Sequence, residues 1–155
     1  MIPALLNYAL KKSFKKYLHM ITGLSHVSIV VPDLTAALEK MRATYGLTAG
    51  EIKVNDEQGV RMTYIDLGNA KIELIEPSRP DSPIAKFLER NPKGGIHHFC
   101  LGVDSVGEAT NTLTAAGVQV LGAGKVQLNV HGERIAFVHP KDFLGALIEL
   151  EEHGG

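Results

Sequence analysis

Apolar positions along this chain follow two rhythms, and the rhythms recur in the same order in each half. Residues 24–31 form a short run rich in β-branched side chains, closed by Pro32-Asp33, which reads as a strand. Asp33 is a helix N-cap type, and Ala36, Ala37, Leu38 and Met41 keep a helical spacing as far as Tyr45-Gly46. Three strands are then expected around residues 48–54, 60–67 and 71–75, with Gly68-Asn69 as the tight turn between the last two. A proline-bearing linker, residues 78–95, contains a short helical stretch at 84–90 that Asp81 or Ser82 would cap. The order then repeats. Residues 96–103 read as a strand, 105–116 as a helix ended by Gly117, and 118–121, 126–130, 135–138 and 146–150 as further strands. The expected fold class is α+β, with a βαβββ module written twice.

The repetition extends to individual residues. H-V-S-I-V-V-P-D-L from His26 is echoed by H-F-C-L-G-V-D-S-V from His98, and I-E-L at residues 72–74 is echoed at 148–150. His26 and His98 lie 72 residues apart, and Glu73 and Glu149 lie 76 apart. An internal repeat whose matched positions are all metal-ligand types carries more weight than the same residues scattered. Taken singly, a strand histidine is usually structural and a glutamate in I-E-L usually faces water. Four in repeat-matched positions favour a metal site instead.

Strand parity says where the four point. Side chains two apart share a face, so His26 goes with Ser28, and His98 with Cys100 and Gly102. Val27, Ile29 and Val31, with Phe99, Leu101 and Val103, take the opposite face, where helices can cover them. A charged group alone in a sheet concavity is costly, and a divalent cation removes that cost. His97 falls on the other face and is assigned a supporting role. His139, before Pro140, is assigned to a turn, while His19, His131 and His153 receive no role. Two imidazoles and two carboxylates suit cobalt, nickel, manganese or zinc with open positions, where substrate oxygens can bind.

Composition narrows the class. A chain of 155 residues suits one domain with a real core, and a net charge of −1 gives no electrostatic case for nucleic acid. Cys100 is the one cysteine, which excludes an internal disulfide framework and fits a reducing cytoplasm; it reads as a small buried strand residue. No stretch approaches the roughly 20 apolar residues of a membrane span. Residues 1–21 lie outside the repeat. Leu6, Leu10, Phe14 and Leu18 alternate there with Lys11, Lys12, Lys15 and Lys16 as a basic amphipathic helix. A plain extension, or an upstream start with Met20 as initiator, is favoured over membrane contact or targeting. Residues 22–152 are read as one domain: module one 22–77, the linker, and module two 96–152.

The paired modules and the His…Glu…His…Glu order resemble the vicinal oxygen chelate superfamily of glyoxalase I, extradiol dioxygenases and bleomycin-resistance proteins. The connecting segments D-E-Q-G-V-R, L-G-N-A-K-I-E-L-I-E-P, D-S-P-I-A-K-F-L, G-G-I-H-H-F-C-L-G-V-D and H-P-K-D-F-L-G-A-L-I-E-L-E are similar to those of the methylmalonyl-CoA epimerase family. They cover nearly all of residues 24–151. The resemblance implies a curved mixed sheet around a metal-binding cleft, with helices on its outer face. It implies metal ligands at His26, Glu73, His98 and Glu149, some members having glutamine in place of Glu73. It implies cobalt as the first choice of divalent metal, an acyl-CoA substrate and a homodimer.

Epimerisation at a carbon between a thioester and a carboxylate passes through an enolate, whose charge a divalent cation would stabilise. Inversion needs proton removal on one face and delivery on the other. The resemblance assigns Glu149 and Glu57 to these tasks, with Asp56 replacing Glu57 if the alignment slips by one residue. Carboxylates suit the work when burial or a like charge raises their pKa. Arg79, Lys86, Arg90, Lys93 and Lys141 are candidates for the coenzyme A phosphates, and none is singled out. The alternatives are a glyoxalase I-type lactoylglutathione lyase and a small-molecule binding module of the resistance-protein kind.

Overall fold

The computed structural model describes residues 20–153, so the extension expected over 1–21 falls, up to residue 19, outside the described residues. The elements are β1 (Ile21–Val30), α1 (Leu34–Tyr45), β2 (Lys53–Asn55), β3 (Val60–Asp66), β4 (Lys71–Pro77), α2 (Pro83–Arg90), β5 (Gly95–Val103), α3 (Val106–Ala115), β6 (Gln127–Leu128), β7 (Arg134–Val138) and β8 (Ile148–Glu152). All eight strands form one curled sheet in the order β2-β3-β4-β1-β5-β8-β7-β6. The order is a palindrome about the β1–β5 pair, as a duplicated module requires. β1 runs parallel to β4 and β5 parallel to β8, while the remaining neighbours are antiparallel.

Local chemistry explains the element boundaries. The Asp33 carboxylate accepts from Ala36 N at 2.9 Å to start α1, and Gly46, at φ 68°, ends it in the left-handed region. Ser82, not Asp81, caps α2, accepting from Ile84 N at 3.3 Å; Asp81 pairs with Arg79 at 2.8 Å instead. The duplication is visible in a second pair of contacts. Glu76 on β4 accepts from Leu34 N at 2.7 Å, and Glu152 on β8 accepts from Val106 N at 2.8 Å. Each carboxylate satisfies an orphan amide in the first turn of its module's helix, tying that helix to the strand carrying a candidate ligand.

The core lies mainly on the convex side. Leu34 of α1 packs with Ile65 and Leu74 under partly buried Ile29, Val31, Leu38 and Met41, and Val106 and Ala109 of α3 pack with Val103, Ile148 and Leu150. The helix α2 departs from the expected outer position. Its Ile84 packs on Val30, Val60, Met62 and Ile75. By parity, Val30 and Ile75 share the face of Ser28 and Glu73, so α2 closes one end of the concave side.

Three expected strands shrink. Residues 118–121 form no strand, only an isolated Val120–Val138 bridge, because the chain turns away at Gly122–Gly124 with Ala123 left-handed. Residues 48–54 and 126–130 reduce to β2 and β6. Both lie at sheet edges, where pairing on one side alone leaves less to hold an extended segment.

Gly94 sets the approach of β5 to β1. It has φ +80°, and a Cβ there would meet the Val30 carbonyl oxygen at 2.2 Å. Neither the backbone angle nor that neighbour can yield cheaply. Gly94→Ala is therefore expected to destabilise the fold by about 2 kcal/mol or more, read as a lower midpoint in denaturant with β1–β5 amides losing protection first.

Candidate active site

The register at the sheet centre brings the four repeat-matched residues together. Across the antiparallel β1–β5 pair, His26 faces Cys100 and Ser28 faces His98. The parallel neighbours set Glu73 beside Ser28 and Glu149 beside Cys100. Each glutamate thus stands next to the small residue of the adjacent strand, as parity requires, and the two histidines lie on a diagonal with ring centroids 5.6 Å apart.

All four side chains are buried. His98 Nε2 lies 2.8 Å from Glu149 Oε2 and 3.8 Å from Glu73 Oε2, and His26 Nε2 lies 3.4 Å and 3.8 Å from the same oxygens. Despite the short approaches, neither Nε2 has a hydrogen-bond partner of acceptable direction among the described residues. Buried nitrogens of this kind are normally paired. Two unsatisfied imidazole nitrogens and two carboxylate oxygens in one small space match the donor set of a divalent cation. Two overlapping groups, His26, Glu73 and His98, and His26, Cys100 and Glu149, meet the spacing of a metal-holding site.

The electrostatics follow from this crowding. For His26, burial alone would lower the pKa, but the adjoining Glu149, with the charges of Glu73 and Glu151, raises it. Burial works to raise Glu149, yet the two imidazoles beside it prevail and hold its pKa at about 2. The raised carboxyl pKa expected for an acid/base group is therefore absent at Glu149, because contact with both histidines outweighs desolvation. Cys100 also comes near His26 and Glu149. Burial pushes its thiol pKa up, and a neutral thiol is a poor ligand.

Outside the four, Tyr64 donates to Glu73 Oε1 at 2.9 Å and so leaves Oε2 turned to the histidines. Beside His26, the one member of the four to line it, lies a cavity of about 180 Å³ bordered also by Ser25, Tyr64, Lys71, His131 and Glu151 among others. Burial raises the Tyr64 and Glu151 pKa values. Lys53 Nζ stands 3.2 Å from His131 Nδ1.

A family model described as the Glyoxalase/Bleomycin resistance protein/Dioxygenase superfamily matches residues 25–137. The ethylmalonyl-CoA/methylmalonyl-CoA epimerase of Cereibacter sphaeroides is 47% identical over 133 residues, covering 86% of this chain and 99% of the relative. The chain belongs to the methylmalonyl-CoA epimerase family. Among solved structures, the methylmalonyl-CoA epimerase of Mycobacterium tuberculosis is 33% identical with a TM-score of 0.80, covering 88% of this chain and 91% of its own. A methylmalonyl-CoA epimerase in complex with methylmalonyl-CoA and NH4+ is 36% identical with a TM-score of 0.78, covering 87% and 96%.

Glu57 is the one site residue expected from the family that the structure does not bring to the cluster. It lies exposed in the turn between β2 and β3, held through its backbone, with Arg79 Nη2 3.4 Å from its carbonyl oxygen. Arg79 also bonds the Asp56 carbonyl, and Ser82 Oγ reaches the Gln58 carbonyl at 3.4 Å, so the turn is anchored at the α2 end of the cleft. His139 takes the expected turn role, accepting from Lys141 N at 3.1 Å.

Tyr64, Ser25 and Glu151 were not anticipated. Glu151 was within reach, since it shares strand parity with Glu149. Tyr64 meets Glu73 only through the β3–β4 register, which no local pattern announces. Among the described residues no helix is long and apolar enough to cross a membrane.

Proposed function

We propose that this chain interconverts the C2 stereoisomers of methylmalonyl-CoA, with a divalent metal held by His26, Glu73, His98 and Glu149. The observation that carries the reading is the pair of unpartnered Nε2 atoms facing two carboxylates, in a member of the epimerase family. When bound, such a cation supplies Lewis-acid stabilisation of negative charge on substrate oxygens. Cobalt is the first choice, by family resemblance, and nickel, manganese and zinc suit the same donors.

The chain's own residues supply the rest. The C2–H bond breaks, its electron pair spreads onto the thioester oxygen as an enolate, and a proton returns to C2 from the opposite face. Glu149 and Glu57 are the proposed pair. Glu149 is buried and ionised, the form that can accept the C2 proton, although the imidazoles that hold its pKa at about 2 make it a weak base. Glu57, in the turn anchored beside α2, is the proposed donor of the returning proton, a role that rests on family resemblance and requires the turn to bring it to the substrate. The Tyr64 phenol stays protonated and holds Glu73 in place. A homodimer belongs to the proposal through family resemblance alone.

Ethylmalonyl-CoA is a second substrate, favoured by the 47% identity to the ethylmalonyl-CoA/methylmalonyl-CoA epimerase of Cereibacter sphaeroides; it differs by one methylene, which binding discriminates only weakly. The test starts from a single C2 stereoisomer of each thioester and follows its optical signal after adding metal-loaded protein. Decay to an equal mixture is expected. A constant signal at full metal occupancy overturns the reading, and turnover of the glutathione–methylglyoxal hemithioacetal would replace it with a glyoxalase.

A further inference from the structure

Each core histidine turns Nε2 toward the carboxylates and Nδ1 away from them. In both modules the atom meeting Nδ1 belongs to the residue one position earlier. Ser25 Oγ lies 3.2 Å from His26 Nδ1, and His97 Nδ1 lies 2.9 Å from His98 Nδ1. Consecutive residues on a regular strand point to opposite faces, so this contact needs a local irregularity. The β1–β5 ladder has one at each place. Leu24 pairs with Leu101 and His26 with Cys100, which leaves Ser25 extra on β1; Ser28 pairs with His98 and Ile29 with Ile96, which leaves His97 extra on β5. Bulges re-aim side chains in this way, and they concentrate beside active sites.

The partners behind these two residues fix the direction of each hydrogen bond. The Ser25 hydroxyl donates to Glu151 Oε1 at 2.9 Å, so a lone pair is what it offers His26, and His26 must donate from Nδ1–H. Asn129 Nδ2 holds the other oxygen of Glu151 at 2.9 Å. In the histidine pair one Nδ1 must donate and the other accept. Phe87 packs against the edge of the His97 ring, centroids 5.3 Å apart, and holds it in that contact.

We propose that Ser25 and His97, placed by matched bulges, are positioning residues that accept Nδ1–H from His26 and His98 and so present both Nε2 lone pairs to a divalent metal, with Glu151 backing Ser25. This rests on the metal reading above. Partners that orient a ligand's outer nitrogen commonly govern metal affinity.

Zinc affinity, measured by competition with a chromophoric chelator, tests it. Ser25→Ala and His97→Phe are each expected to weaken zinc binding about 10- to 100-fold, while Ser25→Thr and His97→Asn, which retain an acceptor, restore most of it. In the zinc-loaded protein the His26 Nδ1–H proton should exchange slowly with water, and faster in Ser25→Ala. Glu151→Gln, which keeps the side-chain shape, carries the same test should a truncation fail to fold, with an expected loss of several-fold. If Ser25→Ala and His97→Phe hold zinc as tightly as wild type while His98→Ala does not, the positioning role is wrong and the metal site stands. If His98→Ala also binds zinc normally, the metal reading itself fails.

Discussion

Replacing Glu149 by glutamine is expected to cut the epimerisation rate by about 10²- to 10⁴-fold, the range for losing a positioned acid/base group. Glu149 makes the closer approach to both histidines, at 3.4 Å and 2.8 Å against 3.8 Å for Glu73, and it is held ionised with a pKa of about 2. Glutamine keeps a ligating oxygen and the side-chain volume but cannot take up the C2 proton. Metal content measured beside the rate separates the two roles. At saturating metal, full occupancy with the rate lost identifies proton transfer. A rate within tenfold of wild type at full occupancy would remove Glu149 from that role. Glu73→Gln is the matched control. Tyr64 can still donate to the remaining carbonyl oxygen, and family resemblance makes glutamine acceptable there, so most activity should survive.

The second large effect concerns the histidines. His98→Ala should raise the zinc dissociation constant by more than about 100-fold, beyond the cost of losing a supporting partner, and abolish epimerisation. In the wild-type protein, exhaustive chelation should give the same loss, reversed by adding cobalt or zinc. The reason lies in burial. His98 is 6% exposed and His26 2%, so removing one nitrogen leaves a gap in a buried donor set and takes a partner from two buried carboxylates. Activity that survives both chelation and His98→Ala would rule out a metal-dependent route.

Much of this was legible from period and repetition. Alternation alone put His26 with Ser28 and Glu149 opposite Ile148 and Leu150, and the duplication then required the four residues to converge. It also separated His98 from His97, although the bulges give His97 a place against the same site that strict alternation does not allow. What local pattern does not encode is register and tertiary placement. The Tyr64–Glu73 contact exists because β3 and β4 pair in one register. The α2 helix closes the cleft because Val30 and Ile75 offer it an apolar platform on the concave side. The strand expected at 118–121 needed more than its apolar residues. Without a partner beyond β7 it holds a single bridge and then turns at Gly122.

Hydrogen exchange at C2 tests the central claim most directly. Methylmalonyl-CoA is incubated in deuterated water with metal-loaded protein, and again after chelation, and C2 deuterium is followed by mass and proton resonance. Abstraction and return of that proton predict deuterium uptake at C2 only with metal present, accompanied by inversion. Absence of uptake at full metal occupancy, or equal uptake after chelation, would contradict it.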